Sequence, residues 1–180
     1  PFIDDPLSKY LCYEGIRSFA ISETQKYGHV TYFWNGNSSG YIDKSLEKYI
    51  EIPSYTGPFD EKPEMRAPEI AEKTIELLKS GLYDFGRINF PNGDMIGHTG
   101  NFNATVKSVE AADTQLSRLL ETINELKGTA IVLADHGNAD EMYVLKNGIK
   151  KTKTAHSLNS VPCAIVDPLF KNTYIMKSIS

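Results

Sequence analysis

Two aspartates and three histidines stand at spacings that suit metal chemistry. Asp94-Met95-Ile96-Gly97-His98 sets a carboxylate and an imidazole at i and i+4. On a helical turn such a pair are neighbours, about 5–6 Å apart at Cβ, and can share one ion. Asp135 and His136 are adjacent, and adjacent residues of a strand point to opposite faces. They can serve one ion only where the chain leaves the sheet, and Gly137-Asn138 provides that break. His156 lies in a loop ahead of an apolar run. Carboxylate and imidazole donors together suit Zn²⁺ or Mn²⁺, and no thiolate argues for a structural zinc. Each feature also has a plainer reading: a surface ion pair for Asp94 and His98, a capped loop histidine for His156. Five donors in three strand-associated loops tip the balance toward a metal site. His29 lies in a segment that reads as a strand, and is expected to be structural.

The elements that must position these residues follow from periodicity and turn chemistry. Residues 7–16 read as a short helix and Phe19-Ala20-Ile21 as a strand. The aromatic and β-branched run from His29 to Trp34 reads as a second strand. Residues 41–67, with Pro53, Gly57, Pro58 and Pro63, read mostly as an extended surface loop. A helix is expected from Pro68, with Ala71, Ile75, Leu78 and Leu82 on its apolar face and Gly81 near its end. Phe85 to Phe90 is the next strand. The longest helix is expected from about Phe102 to Lys127, burying Phe102, Val106, Val109, Leu116, Leu119, Ile123 and Leu126. Thr129 to Ala134 is a continuous apolar strand of the kind buried on both faces in a parallel sheet. Val161 to Val166 supplies another, with Cys163 as a small core residue. Strands alternate with helices, so the class is α/β with helices on the sheet. Asp94 and His98 then follow one strand, and Asp135 and His136 another. Ligand sites of open α/β sheets cluster at such carboxyl ends.

Composition narrows the function classes. In 180 residues, hydrophobic types make up 41% and charged types 23%, as in an ordinary folded domain. Nineteen basic residues against 23 acidic ones give a net charge of −4, which offers no general attraction to nucleic acid. Lys150, Lys151 and Lys153 read as a solvated loop. No run of 18 apolar residues is present, so no membrane span is expected. Residues 1–6 show no secretory leader. Cys12 and Cys163 have no motif spacing, which favours a reducing, cytoplasmic setting over a disulfide framework.

Longer motifs carry a resemblance. They are Ser22-Glu23-Thr24-Gln25-Lys26-Tyr27-Gly28-His29-Val30-Thr31-Tyr32-Phe33, Lys62-Pro63-Glu64-Met65, and Asn92-Gly93-Asp94-Met95-Ile96-Gly97-His98-Thr99-Gly100. They continue through Val109-Glu110-Ala111-Ala112-Asp113, Ala134-Asp135-His136-Gly137-Asn138-Ala139-Asp140 and Thr154-Ala155-His156-Ser157. In this order they resemble the cofactor-independent (2,3-bisphosphoglycerate-independent) phosphoglycerate mutases. The metal motifs alone would place the chain in the wider alkaline-phosphatase-like superfamily. The segment around Glu23-Thr24-Gln25-Lys26-Tyr27 narrows it to the mutases.

The resemblance implies a three-layer α/β/α fold with a mostly parallel sheet. It implies an isomerase that interconverts 3-phosphoglycerate and 2-phosphoglycerate in glycolysis and gluconeogenesis, through a phosphoserine and without 2,3-bisphosphoglycerate. Two divalent ions are implied, Mn²⁺ first, with Mg²⁺, Co²⁺ or Zn²⁺ as substitutes. Asp94, His98 and His156 would hold one ion, Asp135 and His136 the other, and Lys26 would be the active-site lysine. Without the resemblance, Lys26 reads as a solvated side chain near a strand. The parent enzyme is expected to be a cytoplasmic monomer acting on small molecules, with no nucleic-acid or membrane partner. Family members are far longer. The expectation is therefore that residues 1–180 are the C-terminal portion of the phosphatase domain, a partial domain inactive by itself. The nucleophilic serine and the inserted transferase domain have no match here. A metal-dependent phosphohydrolase of the same superfamily, or a non-catalytic folded piece, are the alternatives.

Overall fold

A computed structural model of the chain describes residues 2–171, 173 and 175. Strands β1 (Ser18–Glu23), β2 (Glu47–Ile52) and β3 (Phe85–Ile88) form a parallel sheet in the order β2–β1–β3. Ile21 of β1 pairs with Ile50 on one side and Ile88 on the other. As the central strand, β1 buries all six of its residues. Phe19 and Ile21 anchor the core with Ile70 and Leu77 of helix α3 (Ala67–Lys79), and Ile50, Ile52, Tyr83, Ile88 and Phe90 pack around them. Burying each large apolar side chain contributes about 1.5–3 kcal/mol. The expected α/β class with a parallel sheet is what the chain adopts.

Helix α3 carries Pro68 in its first turn. Its buried residues are Ala67, Ile70, Ala71, Thr74 and Leu77, a face rotated from the expected one, and Leu82 is exposed beyond its end. Helix α4 (Asn92–Gly97) and helix α5 (Phe102–Glu125) meet in a second apolar cluster of Met65, Ile96 and Ala104. That cluster fixes α4, and with it Asp94.

Other expectations are corrected. The run from His29 to Trp34 is not a strand. Thr24–Val30 is helix α2, and the chain continues in turns, with Phe33 N–H donating to the Gly28 carbonyl at 2.9 Å. Strand preference is a preference for a pleated, half-buried surface, and here Lys26 and Val30 are buried from a helix instead. Arg87 Nε holds the end of that helix through the Val30 carbonyl at 2.7 Å. Residues 41–67 are not only loop, because β2 lies within them. Its charged residues Glu47, Lys48 and Glu51 hide the strand pattern.

Helix α5 covers α3 and α4 with Ala104, Thr105, Ser108, Gln115, Leu119 and Thr122. Of the expected stripe only Leu119 is buried, while Phe102, Val106, Val109 and Leu126 are exposed. Small and hydroxyl side chains allow close helix approach, so the packed face is not the most apolar one. Strand β4 (Ala130–Leu133) pairs antiparallel with β7 (Cys163–Val166), and Ile131 and Leu133 are 64% and 63% exposed. Neither β4 nor Cys163 lies in a core. The lysine-rich stretch forms an exposed hairpin of β5 (Tyr143–Lys146) and β6 (Ile149–Thr152). Both cysteines are free.

Candidate metal centre

Four segments deliver the expected residues to one place. Lys26 stands in α2, directly after β1, and Asp94 in the first turn of α4, after β3. His98 caps that helix at its C-terminal end, so the i, i+4 pair is a true helical neighbour pair. Asp135 and His136 follow β4, and His156 precedes β7.

Asp94 is the centre of the cluster. Its Oδ1 lies 3.0 Å from His98 Nε2, 3.1 Å from His156 Nε2 and 4.0 Å from His136 Nε2. Its Oδ2 meets Lys26 Nζ at 2.8 Å. The same ammonium lies 3.5 Å from His136 Nε2 and 3.7 Å from Asp135 Oδ2. Asp135 Oδ2 is 3.6 Å from His136 Nε2. The His136 and His156 rings stack at 3.6 Å, and His98 Nε2 is 3.2 Å from His156 Nε2. All six expected residues are therefore together. Asp94, His136 and His156 each offer a ligand atom within 4.8 Å of the others.

Proton positions sharpen the chemistry. His98 Nδ1 contacts the Thr154 carbonyl oxygen. A carbonyl only accepts, so the ring proton of a neutral His98 is on Nδ1, and its Nε2 lone pair faces the Asp94 carboxylate. A lone pair and a carboxylate oxygen aimed at each other require a cation or a proton between them. Metal-bound histidines use this same device, an outer N–H on a carbonyl that fixes the tautomer. The donor set therefore fits a divalent ion. Burial opposes ionisation of Asp94, but the hydrogen bond and charge of Lys26, aided by His98 and His136, outweigh it. The Asp94 carboxyl is held below its ordinary range. His29 is not part of the cluster. It packs edge-on against Phe33, and burial first, then the Lys26 charge, lower its pKa.

Comparison with known proteins gives the family. A sequence model of the Metalloenzyme superfamily matches residues 3–178. The chain belongs to this superfamily. Among its metalloenzyme relatives, the chain is similar to a probable 2,3-bisphosphoglycerate-independent phosphoglycerate mutase of Leptospira interrogans, 49% identical over 93% of this chain and 32% of that one. A probable mutase of the same description from Arabidopsis thaliana is 47% identical, again over 93% and 32%. A crystal structure of Leishmania mexicana phosphoglycerate mutase at low cobalt concentration superposes with a TM-score of 0.87 at 48% identity. It covers 90% of this chain and 31% of its own. The chain spans about a third of the length of the curated relatives it matches.

Two residues beside the candidate ligands, Asn138 and Asp140, were not singled out from the sequence. Asn138 is buried, and its Nδ2 donates to Asp94 Oδ1 at 3.3 Å. Asp140 accepts from Ser157 Oγ at 2.7 Å and from Asn159 Nδ2 at 2.6 Å. Asn138 stood in the sequence as half of a turn dipeptide and inside the Ala134–Asp140 motif, with no role of its own. The usable signal was its place two residues after a candidate ligand, where a polar side chain is carried back toward the site.

Proposed function

We propose that the chain is the metal- and lysine-bearing part of a cofactor-independent phosphoglycerate mutase, residues 1–180 forming the C-terminal portion of its phosphatase domain. The observation that carries this reading is the convergence of Lys26 with five carboxylate and imidazole donors at the ends of β1, β3 and β4 and ahead of β7. The names and coverage of the relatives support it. In this reading Asp94, His98 and His156 hold one divalent ion, and Asp135 and His136 contribute to a second. Mn²⁺ suits the mixed oxygen and imidazole donors. Bound ions supply positive charge for phosphoryl oxygens and for a hydroxyl that must act as its alkoxide.

The chain's own residues do the positioning. Lys26, 5% exposed, presents an ammonium fixed by Asp94, and a preorganised cation of this kind stabilises charge on a phosphoryl group in transit. His98 keeps Nε2 toward the centre because Thr154 holds its other nitrogen. The substrate is 3-phosphoglycerate or 2-phosphoglycerate. The phosphoryl group leaves one glycerate hydroxyl for a serine outside this chain and returns to the other hydroxyl, so the net change is an isomerisation. No 2,3-bisphosphoglycerate is consumed. The setting is cytoplasmic, in glycolysis and gluconeogenesis, and the whole enzyme is a monomer.

A chimera tests the proposal. The chain replaces the matching third of the Leptospira mutase, and turnover of 3-phosphoglycerate is compared with hydrolysis of a generic phosphomonoester, each with Mn²⁺. Mutase turnover in the chimera, and none in the 180-residue chain alone, is expected. Phosphomonoester hydrolysis without mutase turnover would favour a phosphohydrolase and reject the proposal.

A further inference from the structure

The segment after His136 makes two contacts that do not belong to the donor set. Asn138 is 4% exposed and reaches Asp94 Oδ1 with its amide nitrogen. Its Oδ1 is buried with no hydrogen-bond partner and lies against Gly97, where an added Cβ would sit 2.2 Å from it. The amide is thus wedged between α4 and its own loop, with Asp94 as its one polar outlet. Two residues on, Asp140 holds Ser157, the neighbour of His156, through the buried Ser157 hydroxyl. The two loops close tightly here. Ser157 N–H donates to the Gly137 carbonyl at 2.8 Å, and a Cβ on Gly137 would meet Ser157 Oγ at 2.2 Å and Asp140 Oδ1 at 2.5 Å. Glycine at 137 is what lets the Asp140–Ser157 bond form.

We infer that Asn138 and Asp140 are positioning residues that clamp the candidate metal ligands, Asn138 acting through Asp94 and Asp140 acting through Ser157 on the loop that carries His156. The inference rests on the metal-site reading given above. The clamp joins three segments that border strands of two separate sheets: α4 after β3, the segment after β4, and the segment before β7. Its physical role is to set the distance between Asp94 Oδ1 and the imidazoles before any ion arrives. Outer partners of metal ligands commonly carry about 10–100-fold in metal affinity. Asn138 touches a ligand directly and should fall in that range. Asp140 is partly solvated and acts through a second residue, so a smaller effect is expected.

Mn²⁺ titration of the 180-residue chain by calorimetry provides the test, with urea unfolding midpoints and the visible spectrum of the Co²⁺-loaded chain beside it. Asn138→Ala should weaken Mn²⁺ binding by about tenfold or more. Asp140→Ala and Ser157→Ala should each weaken it by about three- to tenfold, and the double variant by no more than the larger single effect, because they break one path. The Co²⁺ spectrum should change in each variant, while far-UV circular dichroism at the titration temperature does not. Native affinity and an unaltered Co²⁺ spectrum in Asn138→Ala and Asp140→Ala would overturn the clamp. So would fully additive losses, or losses that track the unfolded fraction. If the native chain takes up no Mn²⁺, or Asp94→Asn binds as well as native, the metal-site reading falls first and the clamp with it. Native binding with unaffected clamp variants rejects the clamp alone.

Discussion

Lys26 and Asp94 form the most buried ion pair of the site, with side chains 6% and 15% exposed. The ammonium stands among the same atoms that would surround a cation. A removed lysine therefore takes away a competitor for Asp94, not a ligand. We expect Lys26→Ala to bind Mn²⁺ as tightly as the native chain or more tightly, and the same change in the chimera to abolish mutase turnover. Without metal it should be less stable by about 3 kcal/mol, since breaking a buried pair strands the remaining charge. Calorimetric titration and urea melts separate the two effects. Weaker metal binding would move Lys26 into the ligand set. Lys26 is also where a reading of residue types alone falls short. Its role came from the motif around it, because a lysine beside a strand carries no signature of its own.

At the scale of elements, Glu23 ties the end of β1 to the start of α3. It is fully buried, and its Oε2 accepts from Arg66 N–H at 3.2 Å. Burial raises its pKa, and the Arg66 N–H hydrogen bond only partly offsets this. A carboxyl whose folded pKa exceeds its unfolded one contributes most below the unfolded value, and that contribution is lost as pH rises through the folded one. Glu23→Gln keeps an acceptor for Arg66 and carries no charge. It should stabilise the fold by about 1 kcal/mol at neutral pH, with the gap closing toward pH 4. Urea midpoints across that range check this, and a gap that widens on acidification would contradict it. The elements that failed to show in the sequence failed for physical reasons. Edge strand β2 is charged, and α2 ends at Val30 and runs on into Thr31-Tyr32-Phe33-Trp34, types that favour strands. Helix α5 packs through Ala104, Ser108 and Thr122 while Phe102 and Val109 face outward. The donors were legible because each follows or precedes a strand at a turn, and those boundaries survive errors in the faces.

At the scale of the chain, the described residues leave apolar surface uncovered. Ile131, Leu133 and Ile165 are exposed on the β4–β7 pair, with Phe102, Val106 and Val109 exposed on α5. Contiguous apolar surface of this kind favours association. The isolated chain is expected to self-associate at high concentration, and paired Ile131→Lys and Leu133→Lys changes should reduce it. Sedimentation velocity over a concentration series decides this, and a strictly monomeric native chain would contradict it. No helix among the described residues is long and apolar enough to cross a membrane. Residues distant in sequence meet in the candidate divalent-metal site, and calorimetric titration of the chain with Mn²⁺ reads that directly. Saturable binding of one ion is expected, lost in His98→Ala, His156→Ala and Asp94→Asn variants that remain folded. Equal uptake by those three variants and the native chain would contradict it.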